Sequence, residues 1–304
     1  MPHQFGYCCI NLTLGKHGIT TGRTMRKATY KSKGIDYVAE LTLQNSKDLI
    51  SILQWNVENN VKVFRIGSNI FPWNSEYELE DVPGIEEISS VLKQAGDIVK
   101  ESGQRVTFHP DHFVKLASVK PHVVEKSIHD LNHHDKLLSM MGLPANHFYC
   151  LNIHVGQNFS ERVVEDFVST FHMLDDTTKK RLVVENDDKA NAFSVKQLHE
   201  HIYSQIKTPI TFDYFHHTFH PDGLSSEEAA TLAASTWGET RPLFHYSESR
   251  NFHENVSGNP RAHSDFADNV IDDYGLNIDV DLETKAKEAA WFQYKTILHN
   301  RSLV

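Results

Sequence analysis

Six apolar runs in this sequence end on a residue able to bind a metal. Thr107-Phe108-His109, Asn152-Ile153-His154 and Leu243-Phe244-His245 deliver imidazoles. Val183-Val184-Glu185, Thr211-Phe212-Asp213 and Asp281-Leu282-Glu283 deliver carboxylates. Brought together, three imidazoles and three carboxylates make a donor set suited to a divalent cation of the zinc or manganese type. Left alone, the carboxylates repel one another and their pKa values rise. A single histidine at such a place is more often a hydrogen-bonded core residue, and a single acid more often a helix cap. Six at corresponding places make independent accidents a poor account. His216 follows Asp213 by three residues and can turn toward the same centre, while its neighbour His217 points away. His263 lies in Ser257–Ser264, where Gly258 and Pro260 imply a shaped loop. His253 and Asp265 are weaker candidates. The chain has 20 histidines, so many must be ordinary, and His133-His134 are expected at the surface.

The elements that carry these residues are short β-branched runs alternating with amphipathic stretches. The spacing predicts strands at Gln4–Asn11, Val61–Gly67, Arg105–His109, Phe148–His154, Arg181–Glu185, Ile210–Asp213, Leu243–Ser247 and Ile278–Glu283. Helices are expected at Lys47–Asn59, Ile85–Ser102, Pro121–Leu143, Ser160–Met173, Val195–Gln205, Glu227–Trp237 and Lys285–His299. Residues 12–44 read as an elaborated loop. Eight strands with crossover helices fit a single α/β domain over residues 1–304, a (β/α)8 TIM barrel. Its parallel strands bring their C-terminal ends to one rim, where a metal site would sit. An open doubly wound sheet is the main rival, but its glycine-rich phosphate turn is missing.

Composition narrows the class. The formal net charge of −10 argues against a general duplex binder, although carboxylates that hold cations count as negative only until loaded. Arg23, Arg26, Lys27, Lys31 and Lys33 form a local basic group. Three cysteines, Cys8, Cys9 and Cys150, give neither a disulfide framework nor a zinc ribbon, and are expected as reduced, mostly buried thiols. No apolar run is long enough to span a bilayer, and Met1-Pro2-His3-Gln4-Phe5 lacks the pattern of a secretory signal. A cytoplasmic location is expected, with no obligate protein partner evident.

Several phrases, in order and spacing, resemble the ultraviolet-damage endonuclease family, relatives of endonuclease IV. They are Gly6-Tyr7-Cys8-Cys9-Ile10-Asn11-Leu12-Thr13-Leu14, Phe64-Arg65-Ile66-Gly67-Ser68, Thr107-Phe108-His109-Pro110 and Ile153-His154-Val155-Gly156. Glu185-Asn186-Asp187-Asp188, Asp213-Tyr214-Phe215-His216-His217 and Glu283-Thr284-Lys285-Ala286-Lys287-Glu288 complete the set. The resemblance implies a repair endonuclease that hydrolyses the phosphodiester 5′ to cyclobutane pyrimidine dimers and 6-4 photoproducts in double-stranded DNA. It implies two or three divalent ions, manganese first, with zinc or magnesium as alternatives. His109, His154 and Glu185 would hold one. Glu185 would bridge to a second held by Asp213, His245 and Glu283, and His216 with His263 would bind a third. Glu185 and Glu283 then stand at the catalytic centre. Lys285 would touch a phosphate or a nearby carboxylate, or be an ordinary first-turn lysine. Tyr7, Asn11, His112 and Phe113 are the implied lesion-contacting group, with mouth-of-barrel packing as the alternative for the aromatic ones.

Three positions depart from the family pattern. Asn69 replaces a histidine of some bacterial relatives, and His112-Phe113 replaces a Gln-Tyr pair. Leu243 stands where bacterial members carry a lysine near the metals. A sugar isomerase or epimerase on the same barrel could use a similar His/Glu/Asp ring, and a catalytically silent lesion-binding protein is the other rival. The eight candidate ligands, together with Tyr7, Asn11 and His112-Phe113, favour the nuclease.

Overall fold

The computed structural model describes residues 4–254 and 257–301. Met1, Pro2 and His3, which enter the expectation of no secretory signal, lie outside them. Eight strands form the barrel: β1 Gln4–Cys9, β2 Val63–Ile66, β3 Arg105–Phe108, β4 Leu151–Ile153, β5 Leu182–Glu185, β6 Ile210–Thr211, β7 Leu243–Tyr246 and β8 Asp279–Leu282. They run parallel in the order β6-β5-β4-β3-β2-β1-β8-β7. The ring closes where Asp213, just beyond β6, bridges His245 of β7, and the His245 N–H donates to the Phe212 carbonyl at 2.9 Å. Two expected metal ligands therefore complete the barrel.

Strand alternation sorts the side chains. Phe64, Val106, Val184, Phe244 and Val280 join the large core shared with the helices. Val63, Val183 and Leu243 meet Cys150 and Trp237 in a separate small cluster that plugs the barrel interior. Below that plug, at the starts of β3 and β8, Arg105 pairs with Asp279 at 3.1 Å, and Arg241 reaches the other Asp279 oxygen at 2.9 Å. This end of the barrel is sealed by an ion pair, leaving the opposite rim for chemistry.

All eight strands occur where expected, with shorter ends. The helices differ more. Residues 12–44 are not one loop: Leu12–Gly15 forms a helical turn capped by the Asn11 side chain, and a long helix spans Lys27–Glu58. Its kink lies at Gly34, where φ of 66° suits glycine. Beyond the kink, Val38, Leu41, Asn45, Leu49 and Ile52 are buried at spacings of three and four, which holds the helix on the barrel. The last helix runs Glu288–Asn300, starting three residues later than expected, because buried Glu288 accepts the Leu12 and Thr13 N–H groups instead of extending a polar first turn.

His133 and His134 are not at the surface. Both are buried on the inner face of the helix Pro121–Met140, with His133 edge-on to Phe71 and His134 edge-on to Phe108. Cys8 and Cys150 are buried free thiols, and Cys9 is a partly exposed one. Among the described residues no helix is long and apolar enough to cross a membrane.

Candidate metal centre

The rim of the barrel gathers the expected ligands around Glu185, the last residue of β5. One Glu185 oxygen lies 3.1 Å from His109 Nε2 and 3.1 Å from His245 Nδ1; the other lies 3.3 Å from His216 Nδ1 and 3.8 Å from His154 Nε2. His245 Nδ1 is also 3.1 Å from Glu283 Oε1. Asp213 caps the turn Tyr214–Phe219 through the His216 N–H at 2.7 Å, which leaves its second oxygen for the cluster. One ligand atom each from His109, His154 and Glu185 lies within 4.8 Å of the others, and the same holds for Glu185, Asp213, His245 and Glu283. Glu185 belongs to both groups.

The donor set fits divalent ions on a second ground. Asp213 Oδ2, His154 Nδ1 and His245 Nε2 are buried with no hydrogen-bond partner among the described residues. Such atoms cost roughly 1–3 kcal/mol each when unsatisfied, and coordination removes that cost for those facing the cation. The electrostatics point the same way. Burial alone would raise the Glu185 carboxyl, but His245, His154, His109 and His216 hold it well below the usual carboxylate range. Glu283 follows the same pattern, with Arg65 and then His245 overcoming burial. Burial lowers His154 to about 4, with His216 and His109 adding to it, so this ring stays neutral and keeps a lone pair for a cation. Asp213 is raised, first by burial and then by Glu185 and Glu283.

His216 and His263 lie 6.4 Å apart, ring to ring. His263 Nδ1 is 2.8 Å from the Glu283 carbonyl, and no third candidate ligand groups with the pair among the described residues. His217 packs on Phe212, and Asp265 is exposed. His253 sits between Glu248 and Asp268, in a separate cluster.

Of the four lesion-contacting candidates, only two reach the surface. Phe113 is 72% exposed, and its ring lies 4.0 Å from that of exposed His112. Tyr7 is fully buried, its ring against Phe64 and Trp55 and its hydroxyl donating to Asn56 at 2.8 Å. Asn11 is buried too, donating to the Tyr7 hydroxyl and capping Leu14. Both sit where β1 ends beneath the Leu12–Gly15 turn, held by these hydrogen bonds. Lys285 is exposed, with its backbone N–H on the Ser264 carbonyl. Asn69 is exposed, and its carbonyl accepts from Asn45. Leu243 lies in the apolar plug beneath the candidate ligands.

Two residues without an expected role hold the cluster from behind. Asn152 donates to Glu185, and Arg65 pairs with Glu283. Their signal is alternation: a polar residue at an inward position of an apolar strand, two before His154 in one case. A cleft of about 240 Å³ opens over His109, His154 and His216, and it shares Asp111, Val114 and Lys115 with a larger groove of about 590 Å³ beside Phe113.

A family model described as UV-endonuclease UvdE matches residues 3–302. The UV DNA damage endonuclease of Clostridium perfringens is 30% identical over 292 residues, covering 94% of this chain and 68% of that protein. The UV-damage endonuclease of Schizosaccharomyces pombe is 31% identical over 306 residues, covering 95% of this chain; the chain spans 50% of that relative. The crystal structure of SacUVDE matches with a TM-score of 0.84 at 29% identity, covering 99% and 100% of the two chains. Endonuclease IV from Thermus thermophilus matches at a TM-score of 0.59 and 13% identity, covering 98% of this chain and 99% of that one, a likeness of fold alone.

Proposed function

The chain belongs to the UV-endonuclease UvdE family, and from that premise we propose that it hydrolyses the phosphodiester 5′ to cyclobutane pyrimidine dimers and 6-4 photoproducts in double-stranded DNA. The observation that carries this reading is the pair of ligand groups sharing Glu185 at the open rim. His109, His154 and Glu185 would hold one divalent ion, Glu185, Asp213, His245 and Glu283 a second, and His216 with His263 a third. Divalent ions held there supply Lewis acidity at a phosphate and make water a stronger nucleophile at neutral pH.

The chain's own residues prepare the site. Asn152 fixes Glu185, so that carboxylate would meet a cation already oriented. Phe113 and His112 stand exposed beside the cleft, where an aromatic face can stack on an unpaired base. A photodimer stacks and pairs poorly, so extruding it costs less than extruding normal bases. Lys285 is free to meet a backbone phosphate. A sugar epimerase reading rests on fold alone: D-psicose 3-epimerase matches at a TM-score of 0.51 and 11% identity.

The test is a duplex carrying one site-specific dimer, incubated with the protein and Mn²⁺ and mapped at nucleotide resolution. A nick immediately 5′ to the dimer is expected, and folded Glu185→Gln should make none. Nicking elsewhere, or normal nicking by that variant, would count against the reading.

A further inference from the structure

One fixed positive charge lies inside the barrel beneath the ligands. Arg65 is on β2, in register with Cys8 of β1 and Thr107 of β3, and its side chain is only 13% exposed. Its Nη1 donates to Glu283 Oε1, the same oxygen that faces His245 Nδ1. Asp281, beside His245 in the β7–β8 register, is fully buried, and neither of its oxygens has a hydrogen-bond partner among the described residues. Arg65 Nε is also buried without one. Among the described residues no other lysine or arginine pairs with Glu283. Arg105 is committed to Asp279 at the far end, and the wall between is the apolar plug that includes Leu243. Arg65 is therefore paired with one carboxylate, Glu283, at the edge of the second ligand group.

Resting on the metal reading above, we propose that Arg65 is a resident counter-ion for Glu283. It holds the group Glu185, Asp213, His245 and Glu283 together when no metal is loaded, and it competes with the metal for the same carboxylate. Two cations on one anion are coupled: each weakens the binding of the other, and removal of either strengthens the one that remains. A guanidinium suits the task because it stays charged at any working pH. Relief of this competition sets the direction of the test. Replacing Arg65 by a neutral residue must tighten metal binding, although it removes a buried contact.

The experiment compares Mn²⁺ binding by wild type, Arg65→Met, Arg65→Gln and Arg65→Lys, titrating the metal-free protein and reading free Mn²⁺ by electron paramagnetic resonance. Thermal melts are recorded with and without the metal. Both neutral variants should bind Mn²⁺ about tenfold more tightly. Their melting temperatures should drop more in chelator than in saturating Mn²⁺, and Arg65→Lys should stay close to wild type. Equal or weaker Mn²⁺ binding by a folded neutral variant overturns the proposal, as does an equal drop in both conditions. So does failure of both neutral variants to fold in saturating Mn²⁺, because the metal should then replace the missing charge. A wild type that binds no Mn²⁺, zinc or magnesium would instead sink the metal reading itself, and this proposal with it.

Discussion

Tyr7 and Phe113 are both aromatic residues near the ends of barrel strands, and burial separates them. Tyr7 has no exposed surface, whereas Phe113 is 72% exposed. Phe113→Ala should weaken binding to dimer-containing duplex by about 1–3 kcal/mol, the scale of one lost base–aromatic stack, and leave undamaged duplex and the melting temperature almost unchanged. Tyr7→Ala should do the reverse, costing about 3–5 kcal/mol of stability through the cavity it leaves and the lost hydroxyl bond to Asn56. Paired binding and unfolding titrations separate the two, and an unchanged damaged-to-undamaged ratio for Phe113→Ala would make it a bystander. Sequence alone separates these residues poorly, because an aromatic at a strand end looks the same whether it faces a helix or solvent. The ligands are easier to read. Each closes an apolar run, and parallel strands leave such ends one place to go. Arg65 and Asn152 are less legible, since their partners Glu283 and Glu185 lie 218 and 33 residues away.

At the scale of elements, strands were legible because each is a short β-branched run bounded by polar turns. The first long helix was legible only in its later part, from Lys47. Its opening turns carry Lys27, Lys31 and Lys33, so the stretch before the Gly34 kink reads as a polar loop although the backbone there is helical. The helix Pro121–Met140 shows a second limit, because its buried face is built partly from histidines. Burial, with His134, His129 and Lys136 nearby and Asp130 opposing, lowers His133 to about 3 from an ordinary 6.5. Above pH 6.5 the imidazole is neutral in both folded and unfolded chains. Between 6.5 and 3 only the unfolded chain takes up the proton, so stability falls as pH drops through that window. His134 behaves oppositely: burial would lower it, but Asp130 raises it, so its contribution is present below pH 6.5 and is lost as pH rises through the folded value. His133→Gln should therefore flatten the acid limb between pH 6.5 and 3, by at most about 1.4 kcal/mol per pH unit. Urea titrations across that range check it, and an acid limb as steep as wild type would mean that His133 is not the residue titrating.

For the whole molecule, the question is how a chain with a net charge of −10 meets a polyanion. Two local features oppose the average. Arg26, Lys27, Lys31 and Lys33 are exposed on the first long helix and the turn before it, although Arg23 is spent on Asp48 and on the carbonyls of Gly18 and Thr20. Lys115 and Lys120 line the groove that adjoins the cleft over the ligands. The larger opposing term would come from divalent ions at the rim, where Glu185, Asp213 and Glu283 converge. Each divalent ion held there adds two positive charges at the point where the backbone must come closest. Chelation should therefore weaken duplex binding as well as stop turnover, and the loss should be larger at low salt, where the Debye length is longer. For the loaded protein, affinity should fall linearly on a log–log plot against salt, with a slope set by the number of phosphates neutralised. The chelated protein should give a shallower slope, since fewer phosphates are then paired. Fluorescence anisotropy with a labelled dimer duplex, from about 50 to 200 mM salt, measures both. Identical slopes with and without chelator would mean that the lysines carry the whole contact, and that the metal centre draws no DNA to itself.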